Sequence, residues 1–198
     1  MPLFAAALAA LSLAPAAELT VKPTDWPQFR GPNRNGFSSQ TGLLKKWPDG
    51  GPPKLWTVGG LGNGFSSPSV AAGRVYGLGY RDGKEVIWAL KEADGSRLWE
   101  TPFADTVQVG GQNNGSASTP TYHDGRVYAL GLGGELVCAD AASGKIVWRK
   151  SYTKDFGGHV PSWGYCESVL VDDGKVICAP NGRGAAVIAL NADTGAVI

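Results

Sequence analysis

Three cysteines and two histidines are the residues of this sequence best suited to redox, nucleophilic or metal chemistry. No two of the cysteines, Cys138, Cys166 and Cys178, have C-x-x-C spacing, so the sequence supports neither a zinc site nor a thioredoxin-like motif. His123 lies in the turn before a predicted strand and His159 in a glycine-rich loop, without a serine or cysteine nucleophile at a recognisable spacing. We therefore predict no catalytic, cofactor-binding or metal-binding residue in this chain, and we interpret both histidines as solvated.

The three cysteines leave two alternatives open. In an exported protein one disulfide forms readily, and Cys166 and Cys178 are the better pair because they fall on adjacent strands of one repeat. The other alternative is that all three are buried as small side chains, as free cysteine commonly is.

Two long loops, residues 110–115 and residues 156–163, are the best candidates for binding a partner. Loops that join rigid elements gather at the ends of those elements, and aromatic and amide side chains bind partners without fixed charge. The alternative is that both loops are solvated connectors. The side chains that we predict for partner binding are Gln112, Asn113, Trp163 and Tyr165.

These loops must be positioned by a hairpin that repeats along the chain. One copy runs from Val137 to Trp148: an apolar strand, a polar turn closed by Gly144, and a second apolar strand that ends in tryptophan. A second copy spans residues 89–99 and a third begins at Ala189. Glycine allows the positive φ of a tight turn, and a tryptophan at the end of each hairpin can wedge between neighbouring sheets.

The period of the repeat predicts β-propeller blades. Trp56, Trp99 and Trp148 are 43 and 49 residues apart, and the Gly-Arg-Val-Tyr of residues 73–76 recurs at residues 125–128. A period in the forties with four short strands is typical of a propeller blade. We predict an all-β chain with about three four-stranded antiparallel blades over residues 54–198, and Trp99 and Trp148 buried between sheets.

The first and last units are incomplete in the sequence. Lys54–Val58 is predicted as a lone strand without a hairpin before it, and the third hairpin reaches residue 198 before its tryptophan. An open arc leaves sheet edges unpaired. We therefore expect the chain to be part of a longer protein that closes a ring with further blades.

The hairpins resemble the tryptophan-docking motif of pyrroloquinoline-quinone (PQQ) repeat propellers, in which the motif joins one blade to the next. Lys91 and Cys138 depart from it. The leader at residues 25–32 and the segment at residues 163–168 further resemble a secreted bacterial subgroup of PQQ-binding-like propellers. The positions that match the docking motif are Ala89, Gly95 and Trp99, then Asp140, Gly144 and Trp148, and then Ala189, Asn191 and Gly195.

Residues 1–17 are apolar, rich in alanine and without charge, which is typical of a secretory signal peptide, and the run is too short for a transmembrane helix. The alternative is a buried N-terminal helix. Residues 18–53 form a leader rich in proline and glycine, which Trp26 and Phe29 should anchor to the surface or edge of the domain. Arg30 and Arg34 are interpreted as solvated. These features predict a periplasmic or secreted protein.

The chain has 18 basic and 17 acidic residues, a balance that argues against a nucleic-acid or membrane-surface partner. The resemblance implies an exported, non-catalytic propeller scaffold that binds a partner, expected to be an envelope protein, through its faces. The alternative is a fragment of a PQQ-dependent quinoprotein dehydrogenase, a class that uses PQQ, calcium and often two adjacent cysteines. The sequence has no adjacent cysteines, and we expect no cofactor.

Overall fold

A computed structural model describes residues 19–109 and 115–198 of the protein. The predicted signal peptide and the two loop residues Gln112 and Asn113 lie outside these ranges. The described residues form three antiparallel β-sheets, in each of which every strand pairs with the next along the chain.

The first sheet consists of β1 (Ser69–Ala71), β2 (Arg74–Arg81), β3 (Lys84–Lys91) and β4 (Arg97–Asp105). The second consists of β5 (Thr121–His123), β6 (Arg126–Leu130), β7 (Glu135–Asp140) and β8 (Ile146–Ser151). The third consists of β9 (Leu170–Asp172), β10 (Lys175–Cys178) and β11 (Ile188–Asn191). The predicted four-stranded antiparallel unit is confirmed for the first two sheets, and the third sheet has three strands.

A short helix, α1 (Tyr152–Phe156), follows β8, although the sequence predicted no helix after the signal. Its single turn is too short to show an apolar period. It is fixed at its ends instead: the Ser151 hydroxyl accepts the N–H of Lys154, and Gly157 closes the turn at φ 66°. In the described ranges no helix is long and apolar enough to cross a membrane.

The first strands of the three sheets lie side by side: β1 contacts β5, and β5 contacts β9. They form the inner edge of an arc, and β4 and β8 form its outer edge. One buried apolar cluster lies between the first and second sheets and includes Tyr76, Ile87 and Val137. Another lies between the second and third sheets and includes Leu136 and Leu190. Burying a large apolar side chain contributes roughly 1.5–3 kcal/mol, so the sheets stabilise one another through these shared cores.

Three tryptophans fasten each unit to the next hairpin. In every case the indole Nε1–H donates to the carbonyl oxygen of the residue that opens the turn of the following hairpin. Trp148 is buried as predicted, whereas Trp99, which was also predicted to be buried, is only partly buried. The donor and acceptor pairs are Trp56 and Glu92 (3.0 Å), Trp99 and Ala141 (3.1 Å), and Trp148 and Ala192 (2.8 Å).

Each docked ring rests on the glycine of that turn. Gly95, Gly144 and Gly195 have φ angles of 72°, 74° and 69°. A Cβ on these glycines would lie 2.6, 2.5 and 2.8 Å from the nearest ring atom of the docked tryptophan. Glycine is therefore required twice over, by the left-handed backbone and by the close approach of the ring.

The rest of the turn explains why the docking motif tolerates Lys91. The carboxylate of Asp140 accepts the N–H and the hydroxyl of Ser143 (2.9 and 2.6 Å). In the first hairpin Lys91 occupies this position, and Asp94 accepts the N–H and hydroxyl of Ser96 instead. The turn is held by a side-chain acceptor in both cases, so the docking surface keeps its shape.

Lys54–Val58 was predicted as a strand, and this prediction is wrong for the described residues, where the segment belongs to no sheet. Trp56 nevertheless docks on the first sheet as Trp99 docks on the second. The docking role of the tryptophan was therefore predicted correctly. The strand was not, because a strand forms only where a neighbouring strand pairs with it, and the local sequence does not supply that neighbour.

The leader packs on the inner edge of the arc through Trp26, as predicted, whereas Phe29, also predicted as an anchor, is 45% exposed. Trp26 and Val70 exchange two backbone hydrogen bonds (2.8 and 2.9 Å) along the free edge of β1. The N–H of Tyr122 in β5 donates to the carbonyl of Pro27 (2.8 Å). Unpaired inner edges are thereby covered by the protein's own chain.

Arg34, which was predicted to be solvated, is instead partly buried and reaches the third sheet. Its guanidinium donates to the backbone carbonyls of Ser168 (2.9 Å) and Val169 (3.3 Å), and also to the side chain of Gln28 (3.1 Å). Arg30 remains exposed. The two carbonyl partners of Arg34 lie more than 130 residues away along the chain, so no local pattern could reveal them.

We predict that Gly144→Ala destabilises the protein by roughly 3 kcal/mol, because the new methyl group meets both the left-handed backbone and the ring of Trp99. Gly125→Ala is the matched control, since Gly125 has a φ of 72° and open space where the Cβ would go. It should cost about 1 kcal/mol. Urea unfolding measures both, and equal losses for the two variants would refute the role of ring contact.

We also predict that Arg34→Ala releases the leader from the third sheet and costs about 1.5–3 kcal/mol, the usual range for hydrogen bonds from a charged group. Limited proteolysis should then cut the leader faster than in the original protein. Arg30→Ala, the control at an exposed arginine, should change neither. If Arg34→Ala leaves the leader as resistant as before, Arg34 does not hold it in place.

Candidate partner-binding surface

The two ends of the arc differ in what they present. The tight turns between β1 and β2 and between β3 and β4 lie at one end, together with their counterparts in the other sheets, and are occupied by tryptophan docking. The connections between sheets lie at the opposite end, which we call the loop end. Of the two predicted loops, residues 156–163 belong to the loop end, as the alternation of strand directions requires, and residues 110–114 lie outside the described residues.

An open cleft of about 630 Å³ lies at the loop end between the first and second sheets. The start of β3, the end of β4, β8 and α1 contribute its walls. Val107 and Val160 add apolar surface from the connecting loops. Its charged side chains are Lys84, Asp105, Glu135, Arg149 and Lys154.

Charges of both signs face this cleft and are partly paired. Lys84 forms an ion pair with Asp105, and this hydrogen bond, aided by the positive charge of Lys154, lowers the pKa of Asp105. Arg149 donates to the backbone carbonyl of Phe103 (3.2 Å). A mixed, solvated lining of this kind fits a polar protein surface better than a strongly charged polymer.

Trp163 is 72% exposed in the loop that also contributes Val160 to the cleft. The loop is fixed at both ends: the N–H of Gly158 donates to the carbonyl of Tyr152 (2.9 Å), and the N–H of Gly164 donates to that of Pro161 (2.8 Å). A large aromatic side chain on a fixed loop is a typical anchor for a protein partner, because little conformational entropy is lost on binding.

Tyr165 does not belong to this surface, contrary to the prediction. It is 5% exposed, its hydroxyl donates to the carbonyl of Pro180 (3.0 Å), and its ring meets that of Tyr152 edge to face at 5.0 Å. Gly134 makes room for the ring, since a Cβ there would lie 2.8 Å from it. Tyr165 therefore supports the loop from within the core.

Glu85 is a buried carboxylate that sequence reasoning missed. It has no exposed surface, and both of its oxygens accept the N–H of Leu132 in the turn between β6 and β7 (3.2 and 3.1 Å). Burial raises the pKa of Glu85 to about 7, and the Leu132 N–H and the nearby hydroxyl of Ser116 oppose this shift. The signal that could have identified it is a glutamate at the head of the apolar strand Val86–Leu90.

The cysteines and histidines are placed as follows. Cys138 and Cys178 are buried and Cys166 is exposed, and all three are free, so the disulfide alternative is wrong and the buried alternative holds for two of the three. His159 is exposed, while His123 is partly buried beside Asp124. Residues 19–109 and 115–198 contain no group of three or more histidine, cysteine, aspartate or glutamate side chains that could hold a metal ion.

Comparison with known proteins identifies the fold. A family model described as outer membrane protein assembly factor BamB matches residues 83–198, which is more than half of the chain. A search of curated proteins found no match.

Two solved structures share the fold with a TM-score of 0.60 or more, and a third has a lower score. The quinohemoprotein alcohol dehydrogenase ADHIIG of Pseudomonas putida HK5 has 20% identity and a TM-score of 0.61, over 89% of this chain and 26% of its own. The quinohemoprotein alcohol dehydrogenase of Comamonas testosteroni has 20% identity and a TM-score of 0.60, over 88% and 26%. BamB from Moraxella catarrhalis has 21% identity and a TM-score of 0.46, over 68% and 37%.

The described chain therefore has a partial β-propeller fold, as predicted, and spans about a quarter of the length of the two dehydrogenases. Each of its sheets is a propeller blade, and the inner edge of the arc is the edge that faces the propeller axis.

We predict that Glu85→Gln stabilises the protein at pH 8 and not at pH 4. The carboxyl pKa rises from an ordinary 4.5 to about 7 on folding, so stability is complete below pH 4.5 and falls as the pH rises to about 7. The neutral amide avoids this loss, which is on the order of 3 kcal/mol. Urea unfolding at both pH values measures it.

Glu135→Gln is the matched control for Glu85, because Glu135 is a partly exposed glutamate at the start of β7. It should change stability little at either pH. A Glu85→Gln variant that is no more stable than the original protein at pH 8 would show that the buried carboxyl carries no cost.

Proposed function

Because this chain belongs to the PQQ-like repeat propeller family whose model is described as outer membrane protein assembly factor BamB, we propose that it is an exported scaffold that binds an envelope protein at its loop end. The observation that carries the proposal is the exposed Trp163 in the loop whose Val160 lines the cleft between two blades. Partner binding by a rigid propeller needs an anchor of this kind on a fixed support.

Three further features support this proposal. Residues 1–17 have the composition of a secretory signal, which favours a place in the periplasm or outside the cell. The loop end carries charges of both signs, which suits recognition of a protein surface. The opposite end is occupied by the docked tryptophans, so it offers fewer side chains to a partner.

The rival is a PQQ-dependent dehydrogenase, and the two structural neighbours are named as quinohemoprotein alcohol dehydrogenases. Residues 19–109 and 115–198 hold no group of three or more histidine, cysteine, aspartate or glutamate side chains, and the sequence has no adjacent cysteines. We derive no step through PQQ or calcium.

The proposal can be tested by replacing Trp163 with a photo-crosslinking aromatic amino acid in the exporting cell. We expect this position to capture an envelope protein of defined mass. The same replacement at Leu98, an exposed apolar residue on the outer strand β4, is the matched control and should capture none. Equal capture at both positions, or none at Trp163, would overturn the proposed surface.

Trp163→Ala should weaken binding of the captured protein by about 30-fold or more, since a central aromatic anchor contributes 2 kcal/mol or more. Because the side chain is 72% exposed, this variant should unfold at the same urea concentration as the original protein. Dye-linked oxidation of alcohols or sugars after addition of PQQ and calcium is measured in parallel, and saturable turnover would contradict a non-catalytic scaffold.

A further inference from the structure

A long loop in the second half of the leader, residues 37–53, lies between two anchored ends. Before this loop Arg34 is held by two backbone carbonyls next to β9, and after it Trp56 docks on the first blade. Every residue of the loop except Gly51 is exposed. Within the described residues, its hydrogen bonds reach no more than three positions along the chain. The fold therefore fixes both ends of this leader loop and leaves its side chains in solvent.

The leader loop exposes four large apolar side chains, which a solvated connector does not need. Three of them lie within five residues of one another in the sequence. Loops of this length without secondary structure commonly have a binding function, and clustered exposed apolar side chains usually mark an interaction site. The four are Phe37 (75% exposed), Leu43 (68%), Leu44 (68%) and Trp47 (62%).

Positive charge accompanies these apolar side chains. Lys45 and Lys46 lie directly between Leu44 and Trp47, and both are exposed. Neither lysine forms an ion pair with any of residues 19–109 or 115–198. Asp49 is the one acidic residue in the sequence of the loop. The even charge balance of the whole chain argued against a membrane-surface partner, but that balance averages out this local excess of positive charge.

The combination of residue types in the leader loop fits a lipid surface better than a protein surface. Lysine is depleted at the centre of protein interfaces, whereas leucine and tryptophan beside lysine are typical of segments that lie in a membrane interface. Tryptophan prefers the level of the lipid headgroups, and lysine extends its long side chain towards them. An irregular backbone stays hydrated at this level, so the contact is confined to the interface.

We propose that the leader loop binds the surface of an anionic lipid bilayer. Leu43, Leu44 and Trp47 enter the interface between headgroups and acyl chains, and Lys45 and Lys46 contact lipid phosphates. The apolar and the electrostatic contacts are each weak alone, so stable binding requires both. This surface is separate from the loop end, and its occupant is lipid rather than protein.

The test is flotation of the full protein with lipid vesicles. We expect binding to vesicles of phosphatidylcholine that contain about 30% phosphatidylglycerol, and binding at least about 10-fold weaker to phosphatidylcholine alone. Added salt should weaken the first interaction, because it screens the lysine charges. Absence of binding, or equal binding to both kinds of vesicle, would overturn the proposal.

A variant without the two charges measures the electrostatic contact. Lys45→Gln combined with Lys46→Gln should bind the anionic vesicles roughly 30-fold more weakly, since both attractions to the negative surface are lost. Lys145→Gln, at an exposed lysine in a turn of the second blade, is the matched control and should bind as the original protein does. Unchanged binding of the double variant would show that the lysines do not meet lipid phosphates.

A second variant measures the apolar contact. Leu44→Ser should weaken vesicle binding about 10-fold or more, because the leucine side chain no longer leaves water on binding. Val187→Ser is its control, since Val187 is 65% exposed beside β11, far from the leader loop in the sequence. Equal losses for the two variants would refute insertion of the loop. All of these positions are exposed, so urea unfolding should be unchanged in every variant.

Two further measurements separate this proposal from partner binding at the loop end. Trp163→Ala should bind vesicles as the original protein does, whether or not the loop end has a partner. A photo-crosslinking amino acid at Leu44 should capture no protein of defined mass in the exporting cell. Capture of such a protein, without binding to vesicles, would assign the leader loop to a protein partner and overturn the proposal.

Discussion

The contact of an indole ring with a bare glycine backbone is the interaction on which this structure depends. Each sheet is small, and its apolar face is buried only against the next sheet, so the blades are stable together rather than alone. The docked tryptophan adds a hydrogen bond and a close ring contact at the outer edge, where Trp99 meets Gly144. Because this contact is repeated from blade to blade, it sets the spacing between neighbouring blades and also stabilises their packing.

Two kinds of contact therefore hold the blades of the arc together. Tryptophan docking joins the blades on the outside, and the leader joins them on the inside through Trp26 on β1 and Arg34 on the third sheet. Between them, the buried Glu85 links the first blade to the second. The loop end is the part of the described arc that these contacts leave open, which is why a partner site there agrees with the rest of the structure.

Much of the fold could be predicted from the sequence because the hairpin signal is local. A glycine at positive φ, a tryptophan four residues later and alternating apolar strands lie within a dozen residues of each other. Contacts between distant segments could not be predicted in this way. The hydrogen-bond partners of Arg34, Tyr165 and Glu85 lie in distant segments of the chain. For this reason Arg34 and Tyr165 were wrongly predicted to lie at the surface, and the buried Glu85 was not predicted.

A double-mutant cycle on Trp99 and Gly144 tests the central claim most directly. If the glycine is required because the ring rests on it, the cost of Gly144→Ala should fall by roughly 2 kcal/mol when Trp99 is already alanine. Urea unfolding of the original protein, the two single variants and the double variant gives this coupling energy. Additive losses would contradict the account, because they would show that the turn and the tryptophan stabilise the arc independently.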